Sequence, residues 1–284
     1  MTPFEFKKRL ADGRRVYGTL IVSTSPVWPE AVAQLPLDFV FIDTEHVPLD
    51  RDQLSWMCRT YKALGLPVLV RIPQADPWLA RMVIDGGASG VVAPYVETAE
   101  QVVALSEAVR LRPIQGVRLA AHRAGQKFEP NLAARLARNN GETLLIVDIE
   151  SRAALAALDD ILAVPGLDAV LVGPHDLTYS LGIPEQYEHE EFEDAVRSVI
   201  RRARARGIAA GVHSWMGNER EGTWARAGAN LIIHEADIVT FLRTAEAEFR
   251  KLRKTLGDHW QGRNPAQRAP RASHRSPTIK RKRT

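Results

Sequence analysis

Short runs of apolar residues alternate with amphipathic segments along most of this chain, and this pattern predicts strands that alternate with helices. The runs are apolar on both faces, which is typical of strands buried on both sides in a parallel sheet. Eight such strands are predicted, at Val16–Val22, Asp38–Asp43, Val68–Ile72, Gly90–Ala93, Leu144–Ile149, Ala169–Val172, Ile208–Val212 and Asn230–Ile233. In a chain of 284 residues this count favours an α/β fold, a (β/α)8 TIM barrel, over an open doubly wound sheet.

The segments between these strands have the spacing of helices with one apolar face. Helices are predicted at Phe4–Leu10, Asp52–Leu64, Pro77–Ile84, Thr98–Arg110, Ala153–Leu162, Glu191–Arg206, Glu219–Ala227 and Ile238–Leu256. The stretch Leu111–Gly141 differs, because it is basic, contains glycine and proline, and has helical spacing only near Leu132–Ala137. We predict that it is a long insertion over the barrel mouth.

Glycine patterns predict turns in this chain rather than a nucleotide site. Gly86–Gly90 resembles a phosphate-binding loop, but it precedes a strand instead of opening a helix, so a tight turn is predicted. No Gly-x-Gly-x-x-Gly pattern follows the first strand, which weakens a dinucleotide-binding interpretation.

Composition narrows the expected cellular setting. The chain has no run of about 18 apolar residues, so no membrane span is expected, and the charged segment Met1–Asp12 lacks the apolar core of a signal peptide. The single cysteine, Cys58, excludes an internal disulfide and fits a reducing cytoplasm. Because Cys58 lies in an amphipathic segment, we expect a buried structural thiol rather than a nucleophile.

The formal net charge of +4 comes from the C-terminal segment. Residues 263–284 hold eight Lys and Arg and no Asp or Glu, which leaves 30 basic against 34 acidic residues in the rest of the chain. We expect a barrel domain over residues 1–262 and a disordered basic tail over residues 263–284, because the tail has few apolar residues to bury. The tail is either a solvated extension or a weak contact for nucleic acid or another polyanion.

Two acidic residues follow neighbouring predicted strands. Glu150 ends the run of the fifth strand, and Asp176 ends the run of the sixth. In a parallel barrel, consecutive strand exits lie side by side at the carboxyl face, where active sites are built. Two carboxylates that meet there repel one another unless a cation lies between them, so the pair predicts a divalent metal site. The alternative is that both acids cap the helices that follow.

Polar residues also follow the second and third strands. Asp43 and His46 are three residues apart, so Asp43 could orient the imidazole and make His46 a general acid–base. Arg71 lies in an otherwise apolar strand and needs an anionic partner, either a structural carboxylate or a substrate oxygen. The segment His234–Asp237 also resembles a metal cluster, but we predict that it ends the eighth strand and caps the last helix.

Four short motifs lie in the order and at the spacing of a known family. They are Asp43-x-Glu45-His46 with Pro48, Val70-Arg71-Ile72-Pro73, Ile149-Glu150-Ser151 and Gly173-Pro174-His175-Asp176-Leu177. Together they closely resemble the metal-dependent class II 2-oxo acid aldolases, the 4-hydroxy-2-oxoheptanedioate or HpcH/HpaI aldolase family. The likeness runs from about Phe4 to Glu248.

This resemblance implies a (β/α)8 barrel that holds a divalent metal on Glu150 and Asp176. It implies 2-oxo acid substrates such as pyruvate, bound to the metal and to backbone amides around His175 and Asp176. Because two carboxylates and waters would be the ligands, Mg²⁺ or Mn²⁺ is expected, and Co²⁺ could serve. No lysine lies at the strand exits of these motifs, which argues against a Schiff-base aldolase.

The resemblance also implies roles for the remaining motif residues. His46, oriented by Asp43, resembles the acid–base of the family, and Arg71 resembles the residue that contacts the keto oxygen and steadies the enolate. Glu45 would hold metal-bound water. The implied reaction is cleavage of a 4-hydroxy-2-oxo acid to pyruvate and an aldehyde. Oxaloacetate decarboxylation and condensation of an enolate with another acceptor stay open, whereas intact acid and base residues argue against a polyanion-binding scaffold.

Two positions depart from the family pattern. Asp148 stands where the family often has Gln, and Arg118-Leu119 stands where an Arg-Gly pair is usual. An additional carboxylate at position 148 could tighten the metal site or alter the electrophile pocket. These departures leave the aldehyde undetermined.

The last predicted helix carries an apolar stripe with helical spacing. Its members are Ile238, Phe241, Leu242, Ala245, Phe249, Leu252 and Leu256. The stripe either packs as the eighth helix of its own barrel or is exchanged between neighbouring barrels. The resemblance favours exchange, because similar enzymes assemble in this way as hexamers.

Overall fold

The centre of the molecule is a closed barrel of eight parallel strands, seen in a computed structural model that describes residues 1–259. The strands follow one another around the barrel in chain order, and the last pairs with the first through Val16 and Leu231. They are β1 (Val16–Leu20), β2 (Phe39–Asp43), β3 (Val68–Arg71), β4 (Gly90–Ala93), β5 (Leu144–Ile149), β6 (Ala169–Val172), β7 (Ala209–Ser214) and β8 (Leu231–Ala236). The (β/α)8 barrel and all eight predicted strands are confirmed.

Helices precede, connect and follow the strands along the chain. They are α1 (Pro3–Ala11), α2 (Trp28–Val32), α3 (Arg51–Ala63), α4 (Pro77–Gly86), α5 (Ala99–Arg110), α6 (Gly116–Arg123), α7 (Pro130–Gly141), α8 (Arg152–Ala156), α9 (Leu158–Leu162), α10 (Pro174–Ser180), α11 (Glu190–Ala205), α12 (Asn218–Arg226) and α13 (Asp237–Leu256). The sequence pattern did not predict α2, α6 or α10, and the single helix predicted over Ala153–Leu162 is the pair α8 and α9. Helices of five to eight residues complete too few turns to show a clear periodicity.

Side-chain caps set several of the helix ends. The Asp50 carboxylate accepts a hydrogen bond of 2.8 Å from the backbone amide of Gln53 at the start of α3. Gly87 ends α4 in a left-handed conformation, with φ of 119°, so the glycine-rich segment before β4 is the predicted tight turn. Cys58 is buried in α3, as predicted, and burial raises the pKa of its thiol to about 12.

Alternating strand residues build two apolar layers, one inside the barrel and one between the strands and the helices. Phe6 and Leu10 of α1 join the inner layer, and the rings of Phe6 and Phe39 are 5.1 Å apart. The helix α1 therefore closes the amino-terminal end of the barrel. The polar side chains of the barrel lie at the opposite end, at the carboxyl ends of the strands.

The insertion Leu111–Gly141 packs on the helical layer, so its predicted position over the barrel mouth is wrong. Arg123 of α6 pairs with Glu107 of α5, and Lys7 of α1 donates a hydrogen bond of 2.8 Å to the carbonyl oxygen of Asn140. The apolar face of α7 explains this position, because Leu136 is buried while most of the other residues of the helix are exposed.

The chain divides into two compact units, and residues 241–259 belong to the second. Within that unit the apolar side chains of α13 are exposed, with Phe241 at 57% and Phe249 at 65%. The predicted basic tail lies outside the described residues. Over residues 1–259, none of the helices combines the length and the apolar character that crossing a membrane requires.

Candidate active site

The predicted site residues come together at the carboxyl ends of the strands. Asp43 and Arg71 are the last residues of β2 and β3, and they face each other in the register of these strands. Glu150 directly follows β5, and Asp176 lies in the first turn of α10 after β6. The strand order therefore gathers carboxylates and one guanidinium at the mouth of the barrel.

Arg71 is held by a fork of hydrogen bonds to a buried carboxylate. Its Nε and Nη2 atoms donate to the two oxygens of Asp43 at 2.9 and 2.6 Å, and Asp43 is only 2% exposed. The Nε atom also lies 3.2 Å from Oε2 of Glu45. The remaining nitrogen, Nη1, lies 3.8 Å from Oδ2 of Asp148. The anionic partner that the sequence required for Arg71 is thus Asp43, with two more carboxylates close by.

Both members of this pair stay charged near neutral pH. Burial alone would raise the pKa of Asp43, but the hydrogen bonds from Arg71 outweigh it and lower the pKa. Burial alone would lower the pKa of Arg71, but its hydrogen bonds with Asp43 and the nearby carboxylates raise it. The ion pair therefore fixes the position of the guanidinium at the mouth.

Glu150 is a buried carboxylate with one oxygen paired and the other unpaired. It is 1% exposed, and its Oε2 accepts a hydrogen bond of 2.9 Å from the backbone amide of Tyr95. Among residues 1–259, Oε1 has no hydrogen-bond partner. A side chain at Gly173 would place Cβ 1.9 Å from this oxygen, so only glycine fits there. Burial, with a further contribution from Asp176, raises the pKa of Glu150 to about 7.

Tyr95 and its role toward Glu150 were not found by sequence reasoning. Its backbone has a φ of 51°, an uncommon left-handed conformation for a residue with a side chain. The sequence signal that could have indicated Tyr95 is its position just after β4, because residues that follow barrel strands form the active site.

Asp148, which departs from the family pattern, lies inside the same cluster. Its side chain is fully buried, and both of its oxygens lack a hydrogen-bond partner among the described residues. Burial first, and then the charge of Glu150, raises the pKa of Asp148 well above its usual range. A buried carboxylate without a hydrogen bond is costly, and its protonation lowers that cost.

His46 and Glu45 lie in the loop that follows β2. Nε2 of His46 is 3.8 Å from Oε2 of Glu45, and the imidazole is about half exposed, with 46% of its side chain accessible. Burial raises the pKa of Glu45 to about 7, against the opposing charge of Arg71. Both oxygens of Asp43 accept hydrogen bonds from Arg71, so orientation of His46 by Asp43 stays a prediction.

The segment after β6 places Pro174, His175 and Asp176 in the first turn of α10. Nδ1 of His175 lies 3.1 Å from the hydroxyl of Tyr187, a contact that sequence reasoning did not find. Backbone amides in the first turn of a helix have no acceptor within the helix. The predicted carboxylate-binding role of the amides of His175 and Asp176 stays a prediction.

The residues at the mouth fit a divalent cation bound by two carboxylates. Over residues 1–259, His, Cys, Asp and Glu side chains form no group of three or more that could hold a metal. The predicted ligand set has only two protein carboxylates, however, and the other ligands would be substrate and water oxygens. The buried Oε1 of Glu150, which lacks a hydrogen-bond partner among residues 1–259, and the electrostatic coupling of Glu150 to Asp176 suit a cation at these two carboxylates.

The segment His234–Asp237 ends β8 at Ala236 and begins α13 at Asp237, as predicted. Asp237 begins α13, and its carboxylate accepts hydrogen bonds of 3.1 Å from the amides of Val22 and Ser23. His234 lies within β8, with Nδ1 2.8 Å from the carboxylate of Glu221.

Fold and site together define a (β/α)8 barrel with buried carboxylates and a fixed arginine at its catalytic end. The sequence profile of the HpcH/HpaI aldolase/citrate lyase family matches residues 17–243, and the chain belongs to this family. The resemblance inferred from the four motifs is therefore confirmed. Membership of an aldolase family makes the chain a lyase-type enzyme.

Relatives and solved structures are similar over most of the chain. The hydroxypyruvate/pyruvate aldolase of Roseovarius nubinhibens is 31% identical over 250 residues, which cover 87% of this chain and 96% of the relative. The 2-keto-3-deoxy-L-rhamnonate aldolase of Klebsiella pneumoniae is 35% identical over 206 residues, 72% of this chain and 77% of the relative. The structure of the citrate synthase SbnG has a TM-score of 0.77 at 28% identity and covers 89% of this chain and 98% of its own.

Proposed function

We propose that this enzyme is a divalent-metal-dependent class II aldolase that cleaves a 4-hydroxy-2-oxo acid to pyruvate and an aldehyde. The observation that carries the proposal is the buried Glu150 carboxylate, whose Oε1 has no hydrogen-bond partner among residues 1–259 and which is electrostatically coupled to Asp176. The similarity to two aldolases that act on 2-oxo acids supports the substrate class.

Glu150 and Asp176 would hold the metal in this proposal. Carboxylate and water oxygens suit Mg²⁺ or Mn²⁺, and Co²⁺ could serve. When bound, such an ion acts as a Lewis acid that polarises the 2-oxo group. Glu45, close to Arg71 and electrostatically coupled to Asp176, would orient a water molecule at the same place.

Substrate binding would rest on Arg71 and on the start of α10. The guanidinium, fixed by Asp43, would donate to the keto oxygen and stabilise the negative charge that develops there. The amides of His175 and Asp176 would bind the substrate carboxylate, because they lack acceptors within the helix. These contacts orient the scissile C3–C4 bond toward the open mouth.

His46 would act as the general base toward the substrate hydroxyl. Directly or through water, it would take the proton from the C4 hydroxyl, and the new C4 carbonyl would form as the C3–C4 bond breaks. The electron pair of that bond would remain on the pyruvate fragment as an enolate, whose oxygen lies beside Arg71. Protonation at C3 would then release pyruvate.

A substrate screen tests the proposal. The full-length chain is assayed for pyruvate release from a panel of 4-hydroxy-2-oxo acids and oxaloacetate, with Mg²⁺, Mn²⁺ or Co²⁺ and with a chelator. We expect turnover of at least one 4-hydroxy-2-oxo acid that the chelator abolishes and added metal restores. Turnover that survives complete chelation would contradict the metal assignment, and a panel without any cleavage would contradict the reaction.

Similarity to a citrate synthase structure favours a second candidate reaction on the same site. In this alternative the enolate is condensed with an acceptor, or formed by oxaloacetate decarboxylation, instead of being released by aldol cleavage. Asp148, whose raised pKa favours the protonated form, places a carboxyl group next to Glu150 where the family often has an amide, and so bears on which electrophile is accepted. The screen detects the decarboxylation as pyruvate release from oxaloacetate without aldol cleavage, and an assay for consumption of pyruvate or oxaloacetate with an added acceptor detects the condensation.

His46→Ala should slow aldol cleavage more than oxaloacetate decarboxylation. Cleavage requires removal of a hydroxyl proton, whereas decarboxylation releases carbon dioxide without it. We expect a loss of ~10²–10⁴-fold in kcat for cleavage, as for other positioned acid–bases. The ratio of the two rates in wild type and variant is the measurement. Equal losses in both reactions would assign His46 to substrate binding instead.

We propose that the exposed apolar stripe of α13 packs against other copies of the chain in a homo-oligomer, and we expect a hexamer. Phe241→Asp combined with Phe249→Asp should give smaller, less stable particles, since burial of one such side chain contributes ~1.5–3 kcal/mol. Light scattering measures the particle mass. A matched double variant, Thr244→Asp with Ala247→Asp, adds the same charge to the other face of the helix and should leave the mass unchanged. A wild-type monomer at micromolar concentration would refute the prediction.

The domain boundaries and the cellular location are proposed from the composition of the chain. A barrel domain over residues 1–262 and a basic tail over residues 263–284 remain proposals, as does weak contact of the tail with polyanions. The single buried Cys58 supports a cytoplasmic enzyme.

A further inference from the structure

A cleft at the amino-terminal end of the barrel gathers four arginines. It is open to solvent, has a volume of about 550 Å³ and lies beside the first residues of β1 and β8. The arginines come from α1, from the turn before β1 and from α11, and they are Arg9, Arg14, Arg15 and Arg204. The candidate active site lies at the opposite, carboxyl ends of the strands, so the cleft is a separate site.

Carboxylates of the described chain neutralise only part of this charge. Nη1 of Arg9 pairs with Asp38 at 2.9 Å, and Asp38 is the acidic partner of these arginines within residues 1–259. Arg15 and Arg204 instead donate hydrogen bonds of 3.2 Å to the backbone carbonyls of Ala225 and Ile208. The Nε atom of Arg9 is buried and lacks an acceptor among the described residues. The cleft therefore has a surplus of positive charge and hydrogen-bond donors.

Buried contacts fix the shape of the cleft. The side chain of Asn230 is buried, donates to the carbonyl oxygen of Leu10 at 3.0 Å and accepts from the amide of Ala210 at 3.1 Å. This ties the end of α1 to the floor of the barrel. Arg204 passes between two glycines, since a Cβ at Gly13 would lie 2.7 Å from its Nη2 and one at Gly228 would lie 3.5 Å from its Cγ.

We propose that this cleft binds a small phosphate-bearing anion of the pyrophosphate type. Guanidinium groups bind phosphate oxygens with paired, charge-assisted hydrogen bonds, and several of them in one concave site favour a multiply charged ligand. The cleft has the volume of a small-molecule site. Tyr17 lines its wall with a partly exposed ring, which offers a surface for a flat group attached to the phosphates.

Calorimetry on the full-length chain tests the proposal with inorganic pyrophosphate, in a chelating buffer that removes divalent metals. The double variant Arg14→Ala with Arg204→Ala removes two of the four guanidiniums and should weaken binding about tenfold or more. Arg201→Ala is the matched control, because it removes an exposed arginine from the same helix outside the cleft. It should bind pyrophosphate like the wild type.

Three results would overturn the proposal. They are no measurable binding by the wild type, an equal affinity in the double variant, and an equal loss in the Arg201→Ala control. An equal affinity in the double variant would mean that pyrophosphate binds elsewhere, for example on the basic residues 263–284. Citrate, a polycarboxylate, should bind more weakly than pyrophosphate, and equal affinity for both would remove the phosphate preference. Unchanged pyruvate-forming activity in the double variant would show that it folds and that the two sites are independent.

Discussion

Glu150→Ala and Asp176→Ala are each expected to abolish Mn²⁺ binding and metal-dependent pyruvate release while the barrel stays folded. Each substitution removes one of the two protein carboxylates that would hold the ion. The lost Lewis acid is worth several kcal/mol of transition-state stabilisation, so we expect kcat to fall by ~10³-fold or more. Neither side chain belongs to the apolar layers, and Glu150→Ala also removes a buried carboxylate that is costly to desolvate, so the barrel should stay folded.

Calorimetry with Mn²⁺ measures the affinity of each variant, and thermal unfolding checks the fold. Asp159→Ala is the control, because it removes an exposed carboxylate that pairs with Arg202 on the outer helices. It should bind Mn²⁺ like the wild type. An unchanged Mn²⁺ affinity in either Glu150→Ala or Asp176→Ala would remove that residue from the ligand set.

The pH dependence of Mn²⁺ binding provides an independent check on Glu150. In the metal-free protein, burial and the charge of Asp176 raise the pKa of Glu150 to about 7. Below that pH the carboxyl group holds a proton that a metal must displace, so affinity should fall about tenfold for each pH unit per released proton. Above it the affinity should level off. The range from pH 5 to pH 8 spans the pKa of Glu150, so the affinity should change within it. A flat profile over this range would contradict the role of Glu150 as a ligand.

Sequence patterning predicted the barrel because most strands are apolar on both faces, as β2 to β6 are in the structure, whereas β1 leaves Tyr17 exposed. The strand ends were less predictable. β7 and β8 continue through His213 and Glu235, polar residues that tertiary contacts at the mouth keep in the sheet. The insertion was misplaced because its basic, mostly exposed surface hid the few buried side chains, Ile114 and Leu136, that pack it on the helical layer.

The candidate site was predictable where it depends on strand exits and unpredictable where it depends on backbone conformation. Spacing along the chain suggested that Asp43 orients His46, whereas the register of β2 and β3 pairs Asp43 with Arg71. The sequence signal for this pair was that the neighbouring strands β2 and β3 end in residues of opposite charge. The amide of Tyr95 reaches Glu150 only because its φ is positive, and side-chain identity does not report that conformation.

The interpretation of Arg71 as structural or catalytic can be decided by separating its effects on stability and on rate. Arg71→Met leaves Asp43 buried without its partner and also leaves Glu45 and Asp148 uncompensated. Breaking a buried ion pair by removal of one member costs about 3–5 kcal/mol of unfolding free energy. We also expect kcat to fall by ~10²–10³-fold, as for other donors that stabilise a developing oxyanion.

The double variant Arg71→Met with Asp43→Asn removes both charges of the pair and should recover most of the lost unfolding free energy, measured by denaturant titration. If Arg71 acts on the substrate, kcat stays low in this stable double variant, because no donor is left at the keto oxygen. Arg71→Lys should likewise remain slow, since an ammonium keeps the charge but lacks the fork that Asp43 fixes. Recovery of kcat together with stability would instead show that Arg71 is a structural ion pair, and the proposed stabilisation of the enolate by this residue would be wrong.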